Sequence, residues 1–165
     1  MTKEELGAVY RDFLAEEGFS PFIEEDGDVT FKYEGKVHGI SVDEGDEEFF
    51  RLIFAPFWDI ENEEERRKVH AAACEATAKV KVAKIFPLGD DVVGSVELFL
   101  PEVDDFKPVF KRALRSLSAA VDAFVASMRR GKGDSRDRGR RRGVRRLLRI
   151  SVRVEAAQAR KSSFH

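Results

Sequence analysis

The spacing of apolar residues changes from the helical period to the period of a strand and back twice along the chain, and this change most constrains the fold. The first helical segment follows a capping box formed by Thr2 and Glu5 and ends at Gly18. Its apolar face consists of Leu6, Val9, Tyr10, Phe13 and Leu14. A helix with one apolar face needs a second layer on which to bury that face.

Four strands are predicted between residues 22 and 54. The turns between them are Asp26-Gly27-Asp28, Glu34-Gly35 and Asp43-Glu44-Gly45-Asp46. Apolar residues alternate with polar ones in the second and third strands, at Val29, Phe31, Tyr33, His38, Ile40 and Val42. The fourth strand, residues 49–54, is apolar on both faces, which is typical of a central strand or of one whose second face meets another molecule. We expect an antiparallel meander.

The second half of the chain repeats the change of period. Asn62 begins a helix whose inner face is Val69, Ala72, Ala73, Ala76 and Val80. Strands follow at Val80 to Phe86 and Val92 to Leu100, and a last helix runs for about six turns from Phe106 to Met128. The order is helix, three or four strands, helix, two strands, helix. The predicted class is α+β, with a mostly antiparallel sheet flanked by helices.

The chain has an acidic part and a basic part, and their net charges almost cancel. Residues 1–128 hold 28 acidic and 15 basic side chains, whereas residues 129–165 hold 3 acidic and 14 basic ones. We therefore predict a folded domain over 1–128 and a basic tail over 129–165, disordered or partly ordered, because its first half has almost no apolar residues. Residues 148–155 alternate as in a short strand, whereas Val144, Leu147 and Leu148 fit the start of an amphipathic helix, and the two patterns overlap.

The sequence offers no positive case for an enzyme, a cofactor or a metal site. Cys74 is the only cysteine, and His38, His70 and His165 are far apart. We expect Cys74 to be a small buried residue and each histidine to have a surface or structural role. No run of eighteen apolar residues exists, so no membrane span is expected, and a cytoplasmic location is the default.

Two features suggest binding. Aromatic residues crowd into positions 49–58, and they serve either core packing or a partner. The candidate partner-binding residues are Phe49, Phe50, Leu52, Phe54, Phe57 and Trp58. The tail is a solvated extension, a nonspecific nucleic-acid anchor, or a segment attracted to the acidic body or an acidic partner. The candidate nucleic-acid residues are Arg136, Arg138, Arg140, Arg141, Arg142, Arg145 and Arg146.

Five segments within about residues 2–128 carry a resemblance to known proteins. They are Tyr10-Arg11-Asp12-Phe13-Leu14-Ala15-Glu16-Glu17-Gly18-Phe19, Val29-Thr30-Phe31-Lys32-Tyr33-Glu34-Gly35-Lys36, Asn62-Glu63-Glu64, Val80-Lys81-Val82-Ala83-Lys84 and Pro101-Glu102-Val103-Asp104-Asp105-Phe106. In these segments and in the order of its elements, the chain resembles the class I type III secretion chaperone-like fold and, within it, the YbjN-type family of bacterial proteins.

That resemblance implies a non-catalytic protein that dimerises and binds other proteins or assists regulation. The leading hypothesis is accordingly a chaperone-like or regulatory protein-binding module, present as a homodimer. The alternative is a nucleic-acid-associated protein that uses the arginine-rich tail as its anchor.

Overall fold

The computed structural model describes residues 1–130, and within this range three α-helices accompany one six-stranded antiparallel sheet. The helices are α1 (Lys3–Glu16), α2 (Glu63–Lys79) and α3 (Phe106–Arg130), and a 3-10 turn at Val103–Asp105 precedes α3. The strands are β1 (Phe22–Ile23), β2 (Val29–Tyr33), β3 (Lys36–Ser41), β4 (Phe49–Asp59), β5 (Ala83–Leu88) and β6 (Asp91–Phe99). The predicted α+β class is confirmed. The tail beyond Arg130 lies outside the described residues.

The predicted helix starts are formed by side-chain caps. The Thr2 hydroxyl accepts a hydrogen bond from the Glu5 amide at 3.2 Å, and the Glu5 carboxylate accepts one from the Thr2 amide at 2.7 Å. At α2, the Asn62 side chain accepts from the Glu65 amide at 2.9 Å. Each cap satisfies an amide that has no partner within its helix, so these local sequences set where the helices begin.

The sheet has the strand order β1-β2-β3-β4-β6-β5. Strands β1 to β4 form the expected meander, and β6 then pairs with β4, so β4 lies in the interior of the sheet. Strand β5 lies at one edge, where the Thr77 hydroxyl of α2 accepts from the Ile85 amide at 2.9 Å and donates to the Ile85 carbonyl at 3.4 Å. Helix α2 thus covers an edge that could otherwise pair with another strand.

The main core lies between one face of the sheet and the helices. Phe50 and Leu52 of β4 point into it, where the Phe50 ring stacks 5.6 Å from Phe106 of α3. Helix α3 approaches the sheet closely at Gly94, because a Cβ atom there would lie 2.9 Å from Leu117 Cδ1. The absence of a side chain at this position lets the long helix lie on the sheet.

Two local expectations differ from the structure. Strand β5 begins at Ala83 rather than at Val80, because α2 continues to Lys79 and Val82 then takes a positive φ of 60°, which a strand does not tolerate. Cys74 is exposed, not buried. The buried stripe of α2 passes through Ala72, Ala73 and Ala76, and the helical period places residue 74 outside it.

Candidate partner-binding surface

The second face of the sheet is built from strand residues. Its apolar cluster consists of Ile53, Ala55 and Val93, with Val37, Phe86 and Leu88 packed around them. No helix side chain of residues 1–130 belongs to this cluster, so we call this side of β3, β4, β6 and β5 the open face. The three central residues are almost fully buried, whereas the end of the face nearest the β3–β4 loop is more accessible.

That end of the open face carries an aromatic pair. Phe49 and Phe99 are directly opposite each other on β4 and β6, and their ring centroids are 5.5 Å apart. Phe99 has 77% of its surface exposed, the highest value among the large apolar side chains described. An aromatic ring in this position offers apolar area at little conformational cost to a partner.

Two acidic segments adjoin the aromatic pair, one before Phe49 and one after Phe99. The Leu100 amide donates a hydrogen bond of 2.7 Å to the Glu48 carbonyl, which joins the β3–β4 loop to the segment before α3. We call these two segments, residues 43–48 and 100–105, the acidic end. Their carboxylates are Asp43, Glu44, Asp46, Glu47, Glu48, Glu102, Asp104 and Asp105.

A charged group lies next to the aromatic pair on the open face. Arg51 is only 3% exposed, its guanidinium lies 4.8 Å from the centre of the Phe49 ring, and it is opposite Glu97 on β6. Burial favours a higher pKa for Glu97, but hydrogen bonds from Lys84 and Ser95 and the charges of Lys84 and Arg51 leave the pKa lowered. The Glu97 carboxylate is therefore ionised at neutral pH on the same face as the aromatic pair.

The six residues predicted to bind a partner do not lie together. Phe50 and Leu52 are buried beneath the helices, so they offer no surface to a partner in this fold, and that part of the predicted surface is corrected. The reason is the strand period, since successive side chains point to opposite faces and only one face of β4 is open. Phe49 is half-buried and lies on the open face.

Phe54, Phe57 and Trp58 lie on the helix-covered side. The Phe54 ring stacks on Phe57 at 5.5 Å, Phe57 and Trp58 both contact Phe124 of α3, and the Trp58 indole N–H donates to Glu65 at 3.2 Å. The pairing of β4 with β6 shifts register between Phe54 and Trp58, and this irregularity lets Phe57 lie on the same side as both of them. The seven tail arginines lie outside the described residues.

Sequence reasoning missed Phe99. Its signal was present in β6, where Val93, Ser95, Glu97 and Phe99 form one alternating set and Val92, Gly94, Val96 and Leu98 form the other. The first set contains a serine and a glutamate, so it marks the face away from the main core. Phe22 is 63% exposed, and the sequence predicts it only as a strand residue.

His38 has a structural position. It is 2% exposed and its ring stacks 4.8 Å from Phe54 and 5.7 Å from Phe31. Burial lowers the pKa of His38 to about 4, against a smaller opposing contribution from its hydrogen bond to the Lys36 carbonyl. The imidazole is neutral at pH 7 and behaves as an aromatic core side chain.

In the part of the chain that the structure describes, no helix combines the length and apolar character needed to cross a membrane. The same residues contain no group of three or more His, Cys, Asp or Glu side chains arranged to hold a metal ion.

Comparison with known proteins identifies a similar fold. No family model and no curated protein matches the sequence. Among solved structures, the chain is similar to the crystal structure of YbjN from E. coli, a proposed transcription regulator. The TM-score is 0.52 with 14% sequence identity over 72% of this chain and 91% of that chain. The chain therefore has a YbjN-like fold.

Proposed function

We propose that this protein is a non-enzymatic protein-binding module with a regulatory or chaperone-like role. The observation that carries the proposal is the open face, where Phe49 and Phe99 present aromatic surface at one end of an apolar cluster that no helix side chain of residues 1–130 joins. Exposed apolar surface next to charged groups is typical of binding sites on soluble proteins.

The YbjN-like fold supports a regulatory role, because the E. coli protein is described as a proposed transcription regulator. The likeness to the type III secretion chaperones remains part of this proposal. So does the homodimer, which would bury a further part of the surface outside the helix-covered core.

The test is site-specific crosslinking in living cells. A benzophenone amino acid in place of Phe99 keeps an aromatic ring on the open face and reports what contacts it. The same group in place of Ala119, which is exposed on α3, is the matched control. We expect protein adducts from position 99 that are weak or missing from position 119. Equal adduct patterns from the two positions would remove the basis of the proposal.

Self-association is measured separately by sedimentation equilibrium of the full-length chain. A homodimer predicts a mass that approaches twice 18.7 kDa as concentration rises. A constant monomer mass at all concentrations would contradict the homodimer and leave the monomeric binding module.

Nucleic-acid binding through the tail is the second candidate function. It is supported by the 12 basic residues in positions 131–165, because clustered arginines release counterions from phosphates. The prediction is that affinity for single-stranded or double-stranded DNA falls steeply with salt. The control replaces Arg140, Arg141 and Arg142 by glutamine, which should reduce both the affinity and its salt dependence.

A further inference from the structure

We infer that the acidic end and the Phe49–Phe99 pair are the docking site for the chain's own C-terminal segment, residues 144–155. This inference rests on the proposed function, because it names an occupant of the same open face. It adds regulation, since a docked segment would compete with any external protein partner.

The chemistry of the surface selects an occupant that is both apolar and basic. Phe99 offers a largely exposed ring, and the eight carboxylates of the acidic end belong to the loop before Phe49 and to the segment after Phe99. Within residues 1–130, the ion pairs to those carboxylates come from the N-terminal amino group, which contacts Glu47, and from Lys107, whose amine lies 2.9 Å from Asp104. The acidic end therefore keeps a strong excess of negative charge.

The segment has the complementary composition. Leu148, Ile150, Val152 and Val154 alternate with Arg149, Ser151, Arg153 and Glu155, and Arg145 and Arg146 precede them. Residues 131–165 as a whole contain 12 basic and 3 acidic side chains, whereas residues 1–130 contain 17 basic and 28 acidic ones. The opposite charges attract each other over about 10 Å at 0.1 M salt.

The connection is long enough. Helix α3 starts beside the acidic end and its 25 residues carry the chain about 37 Å away, to Arg130. The thirteen residues 131–143 can span about 43 Å when extended, so residue 144 can return to the acidic end.

A second copy of the chain is a poorer occupant of this surface. A two-fold interface places the same patch of each copy against the other. Two acidic ends would then face each other, and like charges oppose such contact. The basic segment carries the opposite charge, so its contact with the acidic end is attractive.

Disulfide trapping in the full-length protein tests the inference. In a Cys74→Ser background, Pro101→Cys marks the acidic end beside Phe99 and Ser151→Cys marks the segment without altering its apolar or basic residues. The control pair is Ala119→Cys with Ser151→Cys. Ala119 is exposed on α3 and closer to Arg130, so an undocked segment meets it at least as often. Oxidised glutathione is the oxidant, and non-reducing gels separate closed monomers from linked dimers.

We expect the 101–151 pair to close within one chain at least about ten-fold faster than the 119–151 pair. Adding Phe99→Ser, replacing Arg149 and Arg153 by glutamine, or raising the salt to about 1 M should bring the two rates together, because each removes one part of the contact. Equal rates in the starting protein, or a predominance of linked dimers, would overturn docking within one chain.

The crosslinking experiment separates this inference from the proposed function. Adducts between position 99 and other polypeptides, without preferential closure of the 101–151 pair, would retain the binding module and reject its own segment as occupant. If position 99 captures neither other proteins nor the segment, both proposals fail.

Discussion

The two faces of the sheet bury their central residues by different means, and strand β4 shows the contrast within a few positions. Phe50 and Leu52 are buried because helices α1 and α3 cover them. Ile53 is almost equally buried, yet the apolar residues that pack with it within residues 1–130 all belong to strands. Among these residues, only the helix-covered face depends on close packing between layers. Changes to that face should be the more costly.

The largest expected effect comes from Phe50→Ala, which removes a ring that contacts both Tyr10 and Phe106. We expect the free energy of unfolding to fall by about 3–5 kcal/mol, because the lost burial adds to the cavity left behind. Urea denaturation measures the change, with Phe22→Ala as the exposed-phenylalanine control. A loss under about 1 kcal/mol for Phe50→Ala would contradict the role assigned to the helix-covered face.

Low pH should destabilise the fold through His38, which is buried on the helix-covered face. Because its pKa is lowered to about 4 in the folded protein, the unfolded chain binds a proton first as the pH falls below 6.5. Stability from the neutral imidazole is complete above pH 6.5 and is lost between pH 6.5 and 4, by about 3 kcal/mol in total.

Unfolding measured at pH 7 and pH 4 in the wild type and in His38→Leu isolates this contribution, because the carboxylates titrate in both proteins. His70→Gln, on the exposed side of α2, is the control. An unchanged pH dependence in His38→Leu would show that this histidine does not couple protonation to folding.

Substitutions at two glycines allow the packing of the two faces of the sheet to be compared directly. A Cβ atom at Gly94 would lie 2.9 Å from Leu117 and 3.1 Å from Ile85, whereas at Gly39 its nearest neighbour would be 3.8 Å away. We expect Gly94→Ala to cost about 1–3 kcal/mol through overpacking, and Gly39→Ala to be neutral or slightly stabilising. Thermal unfolding of both variants checks this difference, and equal melting temperatures would count against tight packing of α3 on β6.

The smallest effect on stability should come from Phe99→Ala. Its ring is largely exposed and contacts Phe49 at the end of the open face, so the free energy of unfolding should change by no more than about 0.5 kcal/mol. The same variant should weaken the interactions of the open face. Substantial destabilisation would instead assign Phe99 to the folded core and remove it from the proposed surface.

Much of the architecture could be predicted because the signals are local. The capping residues Thr2 and Asn62, the turn glycines and the two apolar periods each act within a few residues of the chain. The prediction that Cys74 is buried was wrong, although the buried stripe of α2 excludes position 74. The predicted start of β5 was wrong because the apolar and polar residues Val80, Lys81 and Val82 alternate as in a strand, although α2 continues nearly to them.

The candidate surface could be predicted only in part, and Phe49 is its one predicted member that lies on the open face. The concentration of aromatic residues between positions 49 and 58 indicated a binding surface. It does not indicate which face of a strand a helix will cover. The register shift after Phe54 places Phe57 towards α3. Pro56 indicates an irregularity in the strand, but it does not indicate which side Phe57 will take.

The sequence by itself determined the helices, most strand positions, the α+β class and the division of charge, since these depend on neighbours within a few residues. The tertiary structure decided that β6 inserts beside β4, that the helices cover one face and that Phe99 meets Phe49 at the acidic end. These outcomes depend on contacts between residues about 50 positions apart, which form only when the whole sheet is assembled.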